Sequence, residues 1–176
     1  MSNYYYLASS LPILFFHHGL PFISFKTFID DCKRLMKPCD YDRLSISDLN
    51  SDHYYDNATG TFKAWQNFNF ALRNELVRQR AKKLDVDPQQ FIRPYYTDPS
   101  LAETVKDNIE DFTPLQAELH LMELQWIVLD YLQSGHMFDL DFLIIYALKL
   151  QILERKASFI FETGKERFDH VIRGSE

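Results

Sequence analysis

The chain has 176 residues, 46% of them hydrophobic and 15% aromatic, with a formal net charge of −6. A chain of this length and apolar content can bury a core of its own, which excludes an intrinsically disordered segment. Its acidity argues against a nucleic-acid binder, which carries a basic footprint, and five glycines leave little material for phosphate-cradling loops or tight-turned β architecture.

In chain order, residues 4–7 fit either a short strand, since tyrosine favours strands, or a first helical turn. Pro12, Gly19 and Pro21 mark an irregular connection. Ser24 is placed to cap a helix whose stripe is Phe25, Phe28, Ile29, Cys32, Leu35 and Met36, and Pro38 ends it. Residues 40–61 are polar and aspartate-rich, which predicts a loop with one short helix near Ser47. A long helix is predicted over 62–84, where Phe62, Trp65, Leu72, Leu76 and Leu84 share one stripe. Asp98-Pro99 and Thr113-Pro114-Leu115-Gln116 are helix starts, the second combining a proline at the first helical position with a capping-box pattern. That second helix should run to about Gln133 and close at Ser134-Gly135. Asp139 caps a last long helix reaching about Thr163, with Gly164 as its stop; residues 142–153 are apolar nearly all round, as in a central buried helix. A short amphipathic tail follows over 166–172.

These elements predict a mainly α fold, a helical bundle with three long helices and several short ones. They predict one helical domain over 1–176, with a partly irregular N-terminal region over 1–60 and a helical core over 61–176. Cys32 and Cys39, the only cysteines, are not at C-x-x-C spacing, so they suggest two free thiols in a reducing compartment. The opening residues lack the pattern of a signal peptide, and the apolar run at 142–148 ends at Lys149, far short of the roughly 20 residues of a spanning helix. The expectation is a cytoplasmic protein with no direct membrane insertion.

Charge is unevenly placed. Residues 62–84 carry Lys63, Arg73, Arg78, Arg80, Lys82 and Lys83 against Glu75 alone, and residues 98–118 carry six acids against Lys106 alone. Solvated faces that offset each other are the ordinary explanation; a basic face for an acidic partner, centred on Arg78, Lys82 and Lys83, is the sharper one. Arg73 and Arg80 fall inside the apolar stripe, and an arginine buried there needs a carboxylate. Glu123 and Asp130 have the same seven-residue spacing beside Leu119, Met122, Trp126 and Leu129, so an antiparallel pairing would join Arg73 and Arg80 to Asp130 and Glu123. Lys149, between Phe142, Ile145 and Leu153 on its own helix, competes for the same acids. Tyr4, Tyr5 and Tyr6 cannot all face one side of an element, so one or two pack inward or the group forms an aromatic contact surface.

No catalytic residues, cofactor site or metal site are predicted. Glu118, His120 and Glu123 give His-x-x-Glu once, where a di-iron bundle needs Glu-x-x-His on two helices. His17-His18 lacks spaced partners. Gly164-Lys165-Glu166 lacks the upstream glycine and the hydroxyl residue of a P-loop. Asp139 and Asp141 read as first-turn acids that suit the helix dipole.

Three segments together resemble an uncharacterised bacterial family encoded within V-type ATPase operons. They are Asn3-Tyr4-Tyr5-Tyr6-Leu7-Ala8-Ser9-Ser10-Leu11-Pro12, then Phe68-Asn69-Phe70-Ala71-Leu72-Arg73-Asn74-Glu75-Leu76 followed by Arg80-Ala81, and Tyr146-Ala147-Leu148-Lys149-Leu150-Gln151-Ile152-Leu153-Glu154-Arg155. The family's gene commonly sits where other organisms encode the connector of the V-type ATPase, an all-helical cup joining the rotor shaft to the membrane ring. The tyrosine-rich start and the asparagine-to-arginine helix are loosely similar to that connector as well. The resemblance implies a non-catalytic connector or assembly part, peripheral at the inner membrane through a complex, with other V-type ATPase subunits as partners. The rival expectation is a free-standing helical enzyme or small-ligand-binding protein with a pocket between helices.

Overall fold

The computed structural model describes residues 4–17, 21–50, 53–55, 58, 60–93, 101, 105 and 112–159. The fold is mainly α, with no strand among the described residues. Among the described residues the helices with defined bounds are α1 (Tyr5–Ser10), α2 (Phe25–Leu35), α3 (Pro38–Ser45), α4 (Gly60–Leu84), α5 (Pro114–Leu132) and α6 (Leu140–Ser158), with a short 3₁₀ turn at Pro88–Gln90. Of these, three are long and three short, in line with the three long and several short helices that the sequence predicts. None of them is long and apolar enough to cross a membrane.

Helix starts follow local side-chain chemistry. Ser24 accepts from Thr27 N at the head of α2, and Asp139 accepts from Phe142 N at the head of α6. At α5, Thr113 and Gln116 cap each other: Gln116 Oε1 accepts from Thr113 N at 3.1 Å, and Thr113 Oγ1 accepts from Gln116 N at 3.4 Å. Each contact satisfies an amide that the helix itself cannot pair. α4 ends with Val86 N donating to Ala81 O and with Asp85 in the left-handed region at φ +53°, the backbone path of a Schellman stop.

Two expectations are corrected. Pro38 does not merely end α2; it opens α3 at the first helical positions, where a missing N–H costs nothing. The short helix is therefore Pro38–Ser45 and not one centred near Ser47, and Met36 and Lys37 are the whole connection from α2. Of the two alternatives for residues 4–7 the helical one holds: Tyr4 is the N-cap of the Tyr5–Ser10 helix. The last helix ends at Ser158 with Phe159 as its C-cap, and not at about Thr163; the predicted start at Asp98-Pro99, the stop at Gly164 and the tail over 166–172 lie outside the described residues.

The chain forms two compact units, Met1–Ser51 with Gln133–Glu176, and Asp52–Leu132. In the first, α2 and α3 pack on α6, and α1 packs on α2. α6 is buried without a break from Leu143 to Leu150, and Phe28, Cys32, Leu44 and Leu49 are buried in the same unit. In the second, α5 packs on α4, and Ala71, Leu72, Leu101, Val105 and Leu121 form a core to which Phe68, Leu76 and Leu124 add partly buried surface. Leu84, expected on the buried stripe of α4, is exposed, because the helix runs past its packed portion before the chain turns at Asp85. Cys32 is buried and its thiol is pushed up to about 12 by that burial, with the charge of Asp31 adding to it; Cys39 is exposed.

Candidate contact surface and a histidine–aspartate cluster

The three N-terminal tyrosines separate as soon as they enter a helix. Tyr4 is buried: its N–H donates to Phe138 O at 2.6 Å and its hydroxyl donates to Asp40 Oδ2 at 2.5 Å. Tyr4 thus serves the interior of its unit. Tyr5 is exposed, with its ring 4.7 Å from that of Phe138, and Tyr6 is 78% exposed. Ile13, Phe15, Phe22 and Met137 are exposed large apolar residues of the same unit, Phe22 at 97%. Single exposed hydrophobes are ordinary; here several follow one another along the chain on and after α1.

On the second unit, Arg78 is held on its own helix by Glu75, 3.0 Å away, while Lys82 and Lys83 are exposed. Leu84, Val86 and Phe91 are exposed in the same stretch. The charged residues near Lys82 therefore share their surface with apolar side chains, among them Leu84, which the stripe pattern assigns to the core. The paired-spacing residues fall in different environments. Arg73 is half-buried with its guanidinium carbon 5.9 Å from the centroid of Phe70, and Arg80 is exposed. Glu123 is half-buried, 3.9 Å from His120 Nδ1, and Asp130 is exposed. With Arg80 in water, the demand for a buried carboxylate does not arise there. Lys149 is buried, and its ammonium donates to Gln133 Oε1.

A grouping not anticipated from the sequence lies across the start of α6. His136 Nδ1 is 2.5 Å from Asp139 Oδ2, while Asp139 Oδ1 accepts from Phe142 N. His136, Asp139 and Asp141 each offer a ligand atom within 4.8 Å of the others, and all three are half-buried. The hydrogen bond to Asp139 raises the pKa of His136, opposed by desolvation and reinforced by the charges of Asp139 and Asp141. The two aspartates are legible as helix-start acids. The His-x-x-Asp-x-Asp spacing across the turn and the first helical turn is the signal for the third member.

Comparison with protein-family models, curated proteins and solved structures gives no match to this chain.

Proposed function

We propose that this chain is a non-catalytic structural or assembly component of a bacterial V-type ATPase, similar to the cup-shaped connector of the rotor and acting through protein contacts. The observation that carries the contact role is the exposure of Tyr5, Tyr6, Ile13 and Phe22 on a helical unit whose interior is otherwise well filled. Large aromatic side chains held in water cost free energy that a partner surface recovers, and tyrosine is enriched in such interfaces. The choice of complex rests on the three-segment resemblance. On this reading the protein sits at the cytoplasmic face of the inner membrane by attachment to the rest of the ATPase. The exposed end of α4, with Lys82, Lys83 and Leu84, offers a second contact of basic and apolar character.

The test is gentle affinity isolation of the native protein from its own cells, with partners identified by mass spectrometry. Recovery of V-type ATPase subunits, reduced in the Tyr5→Ala, Tyr6→Ala double variant, is expected. Recovery of none of them would overturn the reading in favour of a free-standing helical protein.

A further inference from the structure

We propose that His136, Asp139 and Asp141 form a binding site for a divalent transition-metal ion of the zinc class. One imidazole nitrogen and two carboxylate oxygens are the ligand types that zinc takes, with bonds of about 2.0–2.2 Å. Ligand atoms around such an ion stand roughly 3.4 Å apart in tetrahedral geometry. No pair in the cluster exceeds 4.8 Å, so small side-chain rotations close it. The imidazole favours zinc and its neighbours over magnesium or calcium, which prefer oxygen alone.

The cluster is preorganised by the fold. Asp139 uses one oxygen, Oδ1, to cap α6 through Phe142 N and turns the other, Oδ2, to His136 Nδ1. The Gly135 backbone, at φ +89°, and the hydrogen bond from His136 N to Gln133 O set the turn that brings the imidazole back over the helix start. Asp141 comes from the first turn of α6. Two carboxylates offset the positive end of the helix, which by itself repels a cation. Binding replaces the proton shared by His136 and Asp139 with the metal: His136 Nδ1 and Asp139 Oδ2 move from 2.5 Å to bonds with a common ion, and the proton leaves to water. A bound ion would also brace the turn whose Phe138 carbonyl holds Tyr4 N and whose Phe138 ring meets Tyr5. The site does not rest on the ATPase reading, and either can fail alone.

The experiment is calorimetric titration of the chelator-stripped full chain with zinc chloride, run on wild type, His136→Ala and Asp141→Asn. Both variants keep Asp139 as the cap of α6, and circular dichroism checks that their helices persist. The expected result is saturable uptake of one ion per chain by wild type. Each variant should lose at least about 10-fold in affinity, and zinc should raise the melting temperature of wild type but not of His136→Ala. Absence of saturable uptake by wild type would overturn the proposal. Equal uptake by all three proteins would also overturn it, placing the ion on other groups such as Cys39 or His17.

Discussion

The two units hold their helices by different means. In the first, α6 is a hub whose long polar side chains reach the backbone of segments far away in sequence. Gln151 accepts from Leu49 N and donates to Ser47 O, both at 2.8 Å. Glu154 accepts from Phe25 N at the head of α2, Tyr146 donates to Pro12 O, and Lys156 donates to Phe16 O. Irregular connections carry backbone groups that no helix can pair, and here one apolar helix satisfies them from its edges. In the second unit the polar groups of α4 are turned inward. Gln66, Asn69, Asn74 and Glu75 are buried; Asn69 meets Gln125 at 3.2 Å, Asn74 grips the backbone of Arg93 through both its donor and its acceptor, and Glu75 binds Arg78 and Gln79. Gln66 Oε1 is buried without a partner. A hub that places polar groups on loops keeps its interior largely apolar, with Lys149 as its one buried charge among the described residues, whereas a helix pair joined by buried amides gains register but risks an unsatisfied atom.

The strongest way to break this contrast is at its apolar side. Leu148→Ala in α6 and Leu72→Ala in α4 both remove fully packed side chains, and each should cost about 2–5 kcal/mol in urea denaturation. Next come the two amide clamps. Gln151→Ala strands Leu49 N and Ser47 O, and Asn74→Ala strands the Arg93 backbone; each should cost about 1–3 kcal/mol. Hydrogen exchange should accelerate at Leu49 in the first variant and at Arg93 in the second. A smaller effect of opposite sign is expected from Gln66→Met, which removes the unpartnered oxygen while keeping volume and should add about 1 kcal/mol. A loss of stability in that variant would show that Gln66 is needed where it stands.

The smallest effect is the pH dependence of the His136–Asp139 contact, measured with a chelator present. The folded-state pKa of His136 is raised above its ordinary 6.5, so the folded protein holds the proton more tightly than the unfolded chain. The contribution is complete below pH 6.5 and fades as pH climbs through the raised value. The stability gap between wild type and His136→Ala should therefore be widest in mild acid and shrink in alkali. A gap that does not change with pH would leave the contact without a charge-dependent part.

What is legible in the sequence is mostly local. Ser24, Thr113 with Gln116, and Asp139 cap the helices they are placed to cap, because a cap needs only its own next few residues. The apolar run over 142–153 identifies the buried hub for the same reason, since a helix apolar all round has no face for water. Pro38 reads with the wrong polarity because proline both follows helices and opens them, and only the position of α3 decides. Arg80 and Leu84 fall on a stripe that continues in period, although the packed portion of α4 ends near Ala81; periodicity says which residues share a face, not how far the neighbour extends. The clamps at Gln151, Glu154 and Tyr146 join residues more than a hundred positions apart, beyond any windowed pattern. On the candidate surfaces, the tyrosine run points to Tyr5 and Tyr6 but cannot separate them from Tyr4, whose burial depends on Asp40 and Phe138.

The unequal fates of the two cysteines have a practical consequence. With Cys32 sealed in the α2 interior and its thiolate suppressed, a maleimide or a gold surface will meet only Cys39, near the start of α3. The wild-type chain thus comes with a single ready-made attachment point, and a fluorophore placed there can report on complex formation without a substitution anywhere in the sequence.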